Sequence, residues 1–240
     1  MASVTSRLHR APTQLTLGVG LKDDATFDNF SPGENAQIVS LLKDTAANKG
    51  EKMLYIYGTG GQGRTHLLQA ACFEAFSHHQ RAVFIPLSHR HDLSPTLLDG
   101  LEALDVICID DIHRIIGDRA WEEAFFHLYN RIRDAQKNLI ISANNPPKGL
   151  NATLPDLVSR LTAGIVFQLH ELSDTEKCDA FIMRAERRGM ILSLDVAKFI
   201  LTHCPRHMSA LFSILDTLDN MSIAAQRKLT IPFVKSVLQI

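Results

Sequence analysis

Residues 58–65 contain Gly58, Thr59, Gly60, Gly61, Gln62, Gly63, Arg64 and Thr65, set between the apolar run Met53 to Tyr57 and a helical pattern that begins at His66. Strand, glycine loop and helix in that order constrain the chain more than any other feature. The spacing follows the phosphate-loop pattern G-x-x-x-x-G-K-[ST] at each fixed position but one, where Arg64 replaces the lysine. The glycines allow a tight turn that points successive N–H groups into one concavity, and the following helix adds its free donors and positive dipole end. Such a cradle suits an anion. Arg64 keeps the charge of a lysine but brings a bulkier planar fork, so nucleotide binding with poor hydrolysis is expected. The alternative is a glycine-rich turn that binds nothing.

The segments around the loop fit the binding reading. Ala82 to Leu87, Val106 to Asp111, Leu139 to Ser142 and Gly164 to Leu169 are short apolar runs, separated by amphipathic stretches. Alternation of this kind predicts an α/β fold, a parallel sheet with helices on both faces. Helices are expected from the capping box Ser31 to Glu34 to about Gly50, from Ser94 to about Leu104, from Trp121 to Ala135 and from about Leu154 to Leu161. From a second capping box, Ser173 to Glu176, the pattern is helical to Ile240, with breaks near Gly189, Pro205 and Lys228. Three parts are expected: a flexible tail at 1–24, an α/β nucleotide-binding domain at 25–170 and a small all-helical domain at 171–240.

Composition narrows the function classes. The net charge of −1 and pI near 6.8 give no global basic field to recruit nucleic acid. The 4 cysteines have no C-x-x-C spacing, which argues against a zinc site or a disulfide framework. No run approaches the roughly 18 apolar residues of a membrane span, and no signal-peptide core is evident. A soluble cytoplasmic protein without a membrane partner is expected.

Asp110 and Asp111 end one strand as Gly58 follows another, and ligands in open α/β sheets lie where such strand ends converge. In a phosphate site, Asp110 and the Thr65 hydroxyl would hold Mg²⁺, and Asp111 could orient an attacking water. A solvated strand end is the bland alternative. Asn144, with Asn145 after the fourth strand, could place an amide near the terminal phosphate, although Asn-Asn-Pro-Pro is first a turn signal. Arg160 reads either as a surface arginine or as a cation that reaches a neighbouring subunit's nucleotide.

Together the residues carry a resemblance. Thr26-Phe27-Asp28-Asn29-Phe30, the loop with His66-Leu67-Leu68, Ile109-Asp110-Asp111-Ile112, Ser159-Arg160-Leu161 and Gln226-Arg227-Lys228-Leu229-Thr230-Ile231-Pro232 resemble the AAA+ module of the replication initiator DnaA and its shorter relatives, over about residues 24–240. The resemblance implies an AAA+ P-loop domain with a helical lid. It implies that Gly58, Thr59, Gly60, Gly61, Gln62, Gly63, Arg64, Thr65 and His66 surround the phosphates, with Asp110 and Asp111 as the Walker B pair. Asn144 falls at the sensor 1 position, often aspartate in the relatives. Phe27 and Phe30 border the expected base pocket, or simply pack in the core. The lid's sensor 2 arginine aligns with Ser209, which removes that cation unless Arg206 substitutes.

The DNA-binding domain of DnaA is not expected after the lid, so the layout resembles the regulatory inactivators of the Hda family more than an initiator. That family carries a Gln-Leu-x-Leu motif for the DNA polymerase III sliding clamp (beta subunit), and Gln14, Leu15 and Leu17 match it without a following aromatic. An extended peptide would place both leucines on one side. The function so implied is control of replication initiation: ADP or another nucleoside diphosphate bound with Mg²⁺, contact with DNA through the clamp, and hydrolysis of DnaA-bound ATP stimulated by Arg160 in trans. The competing expectations are an autonomous AAA+ ATPase, such as a DnaC-like helicase loader, and a nucleotide-free adaptor. A homodimer that hides Arg160 also stays open.

Overall fold

Five short runs, rich in the aliphatic and β-branched residues that suit a sheet covered on both faces, pair in parallel: β1 (Met53–Tyr57), β2 (Ala82–Pro86), β3 (Val106–Asp110), β4 (Asn138–Ala143) and β5 (Ile165–Gln168). Their order in the sheet is β2-β3-β4-β1-β5. The structure is a computed structural model that describes residues 25–225 and 229–240. The motif at Gln14, Leu15 and Leu17, and the box residues Gln226 to Lys228, lie outside the described residues.

Alternate side chains of each strand serve opposite layers. On one face Leu54 and Ile56 pack with Ile38 and Leu42 of α1 (Ala36–Ala46) and with Leu67, Leu68 and Ala71 of α2 (Arg64–Ser77). On the other, Tyr55, Ile107, Ile109 and Ile141 pack with Trp121, Phe125 and Leu128 of α3 (Arg119–Asp134) and with Leu157 and Leu161 of α4 (Pro155–Leu161). Four further helices, α5 (Asp174–Arg187), α6 (Leu194–His203), α7 (Met208–Ala225) and α8 (Ile231–Leu238), enclose a separate core around Phe181, Ile200, Leu211, Leu215 and Val234. The fold is thus α/β with a small helical lid. No helix among the described residues is long and apolar enough to cross a membrane.

Two expected helices change form. The box at Ser31 to Glu34 does not cap a helix: Gly33 takes φ of 49° and a short 3-10 turn, Gly33–Asn35, precedes α1. The left-handed glycine interrupts the first helical turn. Asn35, buried, instead donates to the His170 carbonyl at 3.0 Å and accepts from the His170 N–H at 2.7 Å, tying the start of α1 to the chain just beyond β5. The stretch from Ser94 to Leu104 is two 3-10 turns, Pro95–Leu98 and Leu101–Ala103, parted by Gly100 at φ of 78°. The second capping box is formed: Ser173 Oγ accepts from Glu176 N, and Glu176 accepts from Ser173 N.

The lower edge of the sheet is held by Asp105, which accepts from Lys137 Nζ at 2.8 Å and from the Arg81 N–H at 3.0 Å. The lysine contact, followed by the Arg81 amide, pulls its carboxyl down to about 2. A depressed acid contributes stability that is present above its unfolded value and lost as pH falls through the folded one. Asp105→Asn is therefore expected to lose up to about 1 kcal/mol in urea unfolding at pH 7, the site being partly open to solvent. The difference from the parent should vanish between about pH 4 and pH 2. A gap that persists at pH 2 would show packing and not charge.

Candidate functional site

The loop from Gly58 to Gly63 leaves the end of β1 and enters α2, whose first residue is Arg64. Gly63 sits at φ of 86°, and a Cβ there would lie 2.6 Å from Cε2 of Phe30. Both the backbone turn and the aromatic wall therefore require glycine. Gln62 folds back over Gly58, with its Oε1 buried and without a hydrogen-bond partner.

β3 stands one strand from β4 and two from β1, so its end comes beneath the start of α2. Thr65 Oγ1 donates to Asp110 Oδ2 at 2.7 Å, and Ser142 Oγ of β4 donates to Asp110 Oδ1. Burial pushes the Asp110 carboxyl up, while the Ser142 and Thr65 hydroxyls draw it back down. Asp111 follows in left-handed backbone, φ of 59°, with its N–H donated to Ser142 Oγ at 2.9 Å.

The Arg64 guanidinium turns toward this strand end. Its Nη2 lies 3.1 Å from Asp111 Oδ1, and both side chains are largely buried. Its Nη1 is buried without a hydrogen-bond partner, the kind of orphan donor that an anion in the loop would satisfy. Asp111 also faces His113, whose Nδ1 is 3.8 Å from Oδ1 and accepts the Asn144 N–H at 3.3 Å. Burial is the main influence that lowers the His113 pKa, Arg64 and Arg114 acting the same way and Asp111 against it. Tyr55, its hydroxyl bonded to the Asn145 carbonyl at 2.8 Å, fixes the adjoining turn. The oxygens of Thr65 and Asp110 are hard donors that fit Mg²⁺, with phosphate and water to complete the shell. No cluster of three or more His, Cys, Asp or Glu side chains among the described residues could hold a metal by itself.

Two clefts flank the loop. One is lined by Gly60 to Gly63, Phe30, His66, Lys177 and Met208. The other, about 620 Å³, lies between Gly63, Arg64 and Thr65 and the lid residues Arg184, Arg188 and Ser209. The two phenylalanines part company here. Phe30 walls the first cleft, its ring 5.6 Å from that of His66, while Phe27 packs in the core with Ile38 and Leu42. His66 is held by the Thr26 carbonyl at 2.8 Å from Nε2.

The structure brings the loop, Asp110 and Asp111 together, places the Asn144 backbone N–H on His113 beside Asp111, and leaves Arg160 apart. On α4, Arg160 places its guanidinium 5.7 Å from the ring centre of Phe126 and 5.9 Å from that of Tyr129, both on α3. Arg206 points to Asp174 at 3.5 Å and lines neither cleft flanking the loop. Ser209, at the position aligned with the sensor 2 arginine, lines the loop's larger cleft without a charge, and Arg184 and Arg188 of the α5 region line the same cleft. Sequence reading missed these two arginines, His113 and Ser142. The i, i+4 spacing of the arginines was the only available signal.

A family model described as the bacterial DnaA ATPase domain matches residues 21–168, and one described as the Hda lid domain matches residues 174–238. Among solved structures, domain III of the Thermotoga maritima replication initiation protein DnaA superposes with a TM-score of 0.82 at 23% identity, over 92% of this chain and 98% of that one. AMPPCP-bound DnaA from Aquifex aeolicus gives 0.71 at 23% identity, over 82% of this chain and 66% of that one. A RuvB variant of Thermotoga maritima gives 0.68 at 18% identity, over 90% and 71%. At these identities the superpositions establish a shared fold.

Proposed function

This chain belongs to the bacterial DnaA ATPase-domain family, and from that premise we propose that it is a DnaA-related regulator of replication initiation which holds a nucleotide without turning it over efficiently. The observation that carries this reading is the 3.1 Å contact between Arg64 and Asp111. The carboxylate that would orient an attacking water is engaged by the cation that would otherwise sit on the β- and γ-phosphates. The loop glycines, the orphan Nη1 of Arg64 and the Thr65–Asp110 pair still suit a nucleoside diphosphate such as ADP, and the AMPPCP held by DnaA from Aquifex aeolicus, a triphosphate analogue, supports nucleotide binding by this fold. Bound Mg²⁺ would neutralise phosphate charge beside Thr65 and Asp110.

In this reading the diphosphate organises the α/β domain and the lid as one unit. Residues 14–17 tether the protein to the DNA-loaded sliding clamp, which raises its effective concentration near DnaA. Arg160, on a helix away from the chain's own loop, supplies positive charge to ATP held by DnaA. The match of the Hda lid domain to residues 174–238 supports the regulatory role.

The test has two parts. At about 100 times its dissociation constant, ADP should stabilise the protein by ~2.7 kcal/mol, a rise in unfolding midpoint of roughly 5 to 10 °C for a chain of this size. An unchanged midpoint at saturating ADP favours a nucleotide-free adaptor. The ADP-loaded protein, with DNA-loaded clamp, should then speed hydrolysis of DnaA-bound ATP while turning over no free ATP alone. Turnover by the protein alone, lost in Asp111→Asn, favours an autonomous ATPase such as a DnaC-like loader.

A further inference from the structure

The larger cleft beside the phosphate loop has a charge pattern that the loop alone does not account for. One wall is Gly61, Gly63, Arg64 and Thr65; the facing wall carries Arg184, Arg188 and Asp216 of the lid. Arg184 and Arg188 are four residues apart, so at helical spacing they fall on one side of α5 and its C-terminal end, where Arg188 is the cap residue. Arg187 is turned elsewhere, donating to the Asp28 carbonyl at 2.7 Å, and so ties this end of α5 to the segment before α1. The Arg184 guanidinium lies 5.2 Å from the Phe212 ring centre, which fixes its height over the cleft. Arg188 is paired with Asp216 of α7.

Three arginines thus converge on one cleft with a single lid carboxylate, Asp216, among its lining residues. The crowding is felt at Arg184, whose pKa is lowered first by burial and next by the neighbouring Arg188 cation, with Asp216 opposing. An anion in the cleft would relieve that repulsion, and Arg64 and Thr65 at the start of α2 line the same space.

We infer that Arg184 and Arg188 are lid ligands for the phosphate chain of the bound nucleotide, and that Asp216 is the internal anion which occupies Arg188 until phosphate takes its place. The inference rests on the nucleotide reading above and adds the residues through which the lid senses the phosphates. Ser209, a neutral neighbour on the same wall, needs no charge of its own in this arrangement. Exchange of Asp216 for phosphate frees α7 from α5 at one point and joins α5 to the phosphate loop. The diphosphate then bridges the two parts of the molecule.

The experiment titrates the full-length protein with ADP, with inorganic pyrophosphate and with adenosine, by calorimetry at low salt. Arg184→Gln and Arg188→Gln should each weaken ADP and pyrophosphate binding about tenfold, the loss of one charge-assisted contact, and leave adenosine binding unchanged. Asp216→Asn should tighten ADP about threefold, because Arg188 is released from its internal partner. Parent-like ADP affinity in both arginine variants overturns the inference and leaves the nucleotide reading standing. Equal losses for adenosine and ADP overturn it as well, since the arginines would then support the lid and not the phosphates. A parent protein that binds neither ADP nor pyrophosphate overturns both readings.

Discussion

Arg160→Ala should abolish nearly all stimulation of DnaA-bound ATP hydrolysis, a loss of roughly 10³- to 10⁵-fold in the stimulated rate, while ADP binding by the protein itself stays as in the parent. The size follows from the chemistry: charge spreads over the transferring phosphoryl oxygens, and a guanidinium placed there stabilises the transition state more than bound ATP. The structure supplies a rigid mount. Pro155 stands at the first position of α4, and Leu157 and Leu161 are fully buried, so Arg160 is carried on an anchored turn. Its guanidinium lies over the rings of Phe126 and Tyr129 on α3. Stability should change by no more than about 1 kcal/mol, the range of a partly exposed cation–π contact. Arg160→Lys should rescue little, because a point charge cannot reproduce a planar fork. Single-turnover hydrolysis of radiolabelled ATP on DnaA, with clamp and ADP present, measures the alanine and lysine variants, while ADP titration and urea unfolding measure affinity and stability. An alanine variant as effective as the parent would sink the assignment of Arg160.

The sheet and its site were unequally legible in the sequence. The five apolar runs were recognisable because strands covered on both faces read as near-continuous aliphatic segments, and each lies where expected to within about two residues. The strand order was a different matter. Nothing local in Leu139 to Ser142 says that β4 lies between β3 and β1, yet that placement brings Ser142 against Asp110 and makes a small polar residue part of the site. Helix starts failed where glycine opposed a cap. Gly33 overruled the box around Ser31, and Gly100 divided the stretch after Ser94, because a left-handed residue breaks the helical backbone whatever the flanking propensities. The lid cations were hidden for a further reason. Arg184 and Arg188 look like ordinary polar residues on an amphipathic helix, and only the fold of the lid places them on the same cleft as Arg64 and Thr65.

Glu122→Ala should cost about 3 kcal/mol of folding stability, because a buried carboxylate that accepts three backbone N–H groups is lost. Glu122 is fully buried on α3, and its carboxylate gathers three backbone donors: Gly117 N at 2.7 Å and Thr153 N at 3.0 Å on Oε1, and Leu154 N at 2.8 Å on Oε2. Leu154 is the cap residue of α4 and has no side-chain oxygen to close the helix, so the carboxylate supports that helix start from outside. Alanine would leave all three N–H groups without their acceptor; Gly117 and Thr153 are exposed, so water meets part of the loss and each donor costs less than the ~1 to 3 kcal/mol of a fully buried one. Glu122→Gln should lie between parent and alanine, at about 2 kcal/mol, because its amide nitrogen must face one of the donors. The consequence reaches function. Gly117 closes the turn that follows Asp111, and Thr153 and Leu154 lead into the helix that carries Arg160. One carboxylate therefore joins the turn after the β3 strand end to the helix that carries Arg160. Urea unfolding at pH 7 measures the stability loss, and stimulated hydrolysis at 10 °C, where the glutamine variant stays folded, measures the mount. A glutamine variant that is destabilised yet stimulates like the parent would restrict Glu122 to a structural role; an alanine variant within about 1 kcal/mol of the parent would mean that water or backbone movement satisfies the three donors.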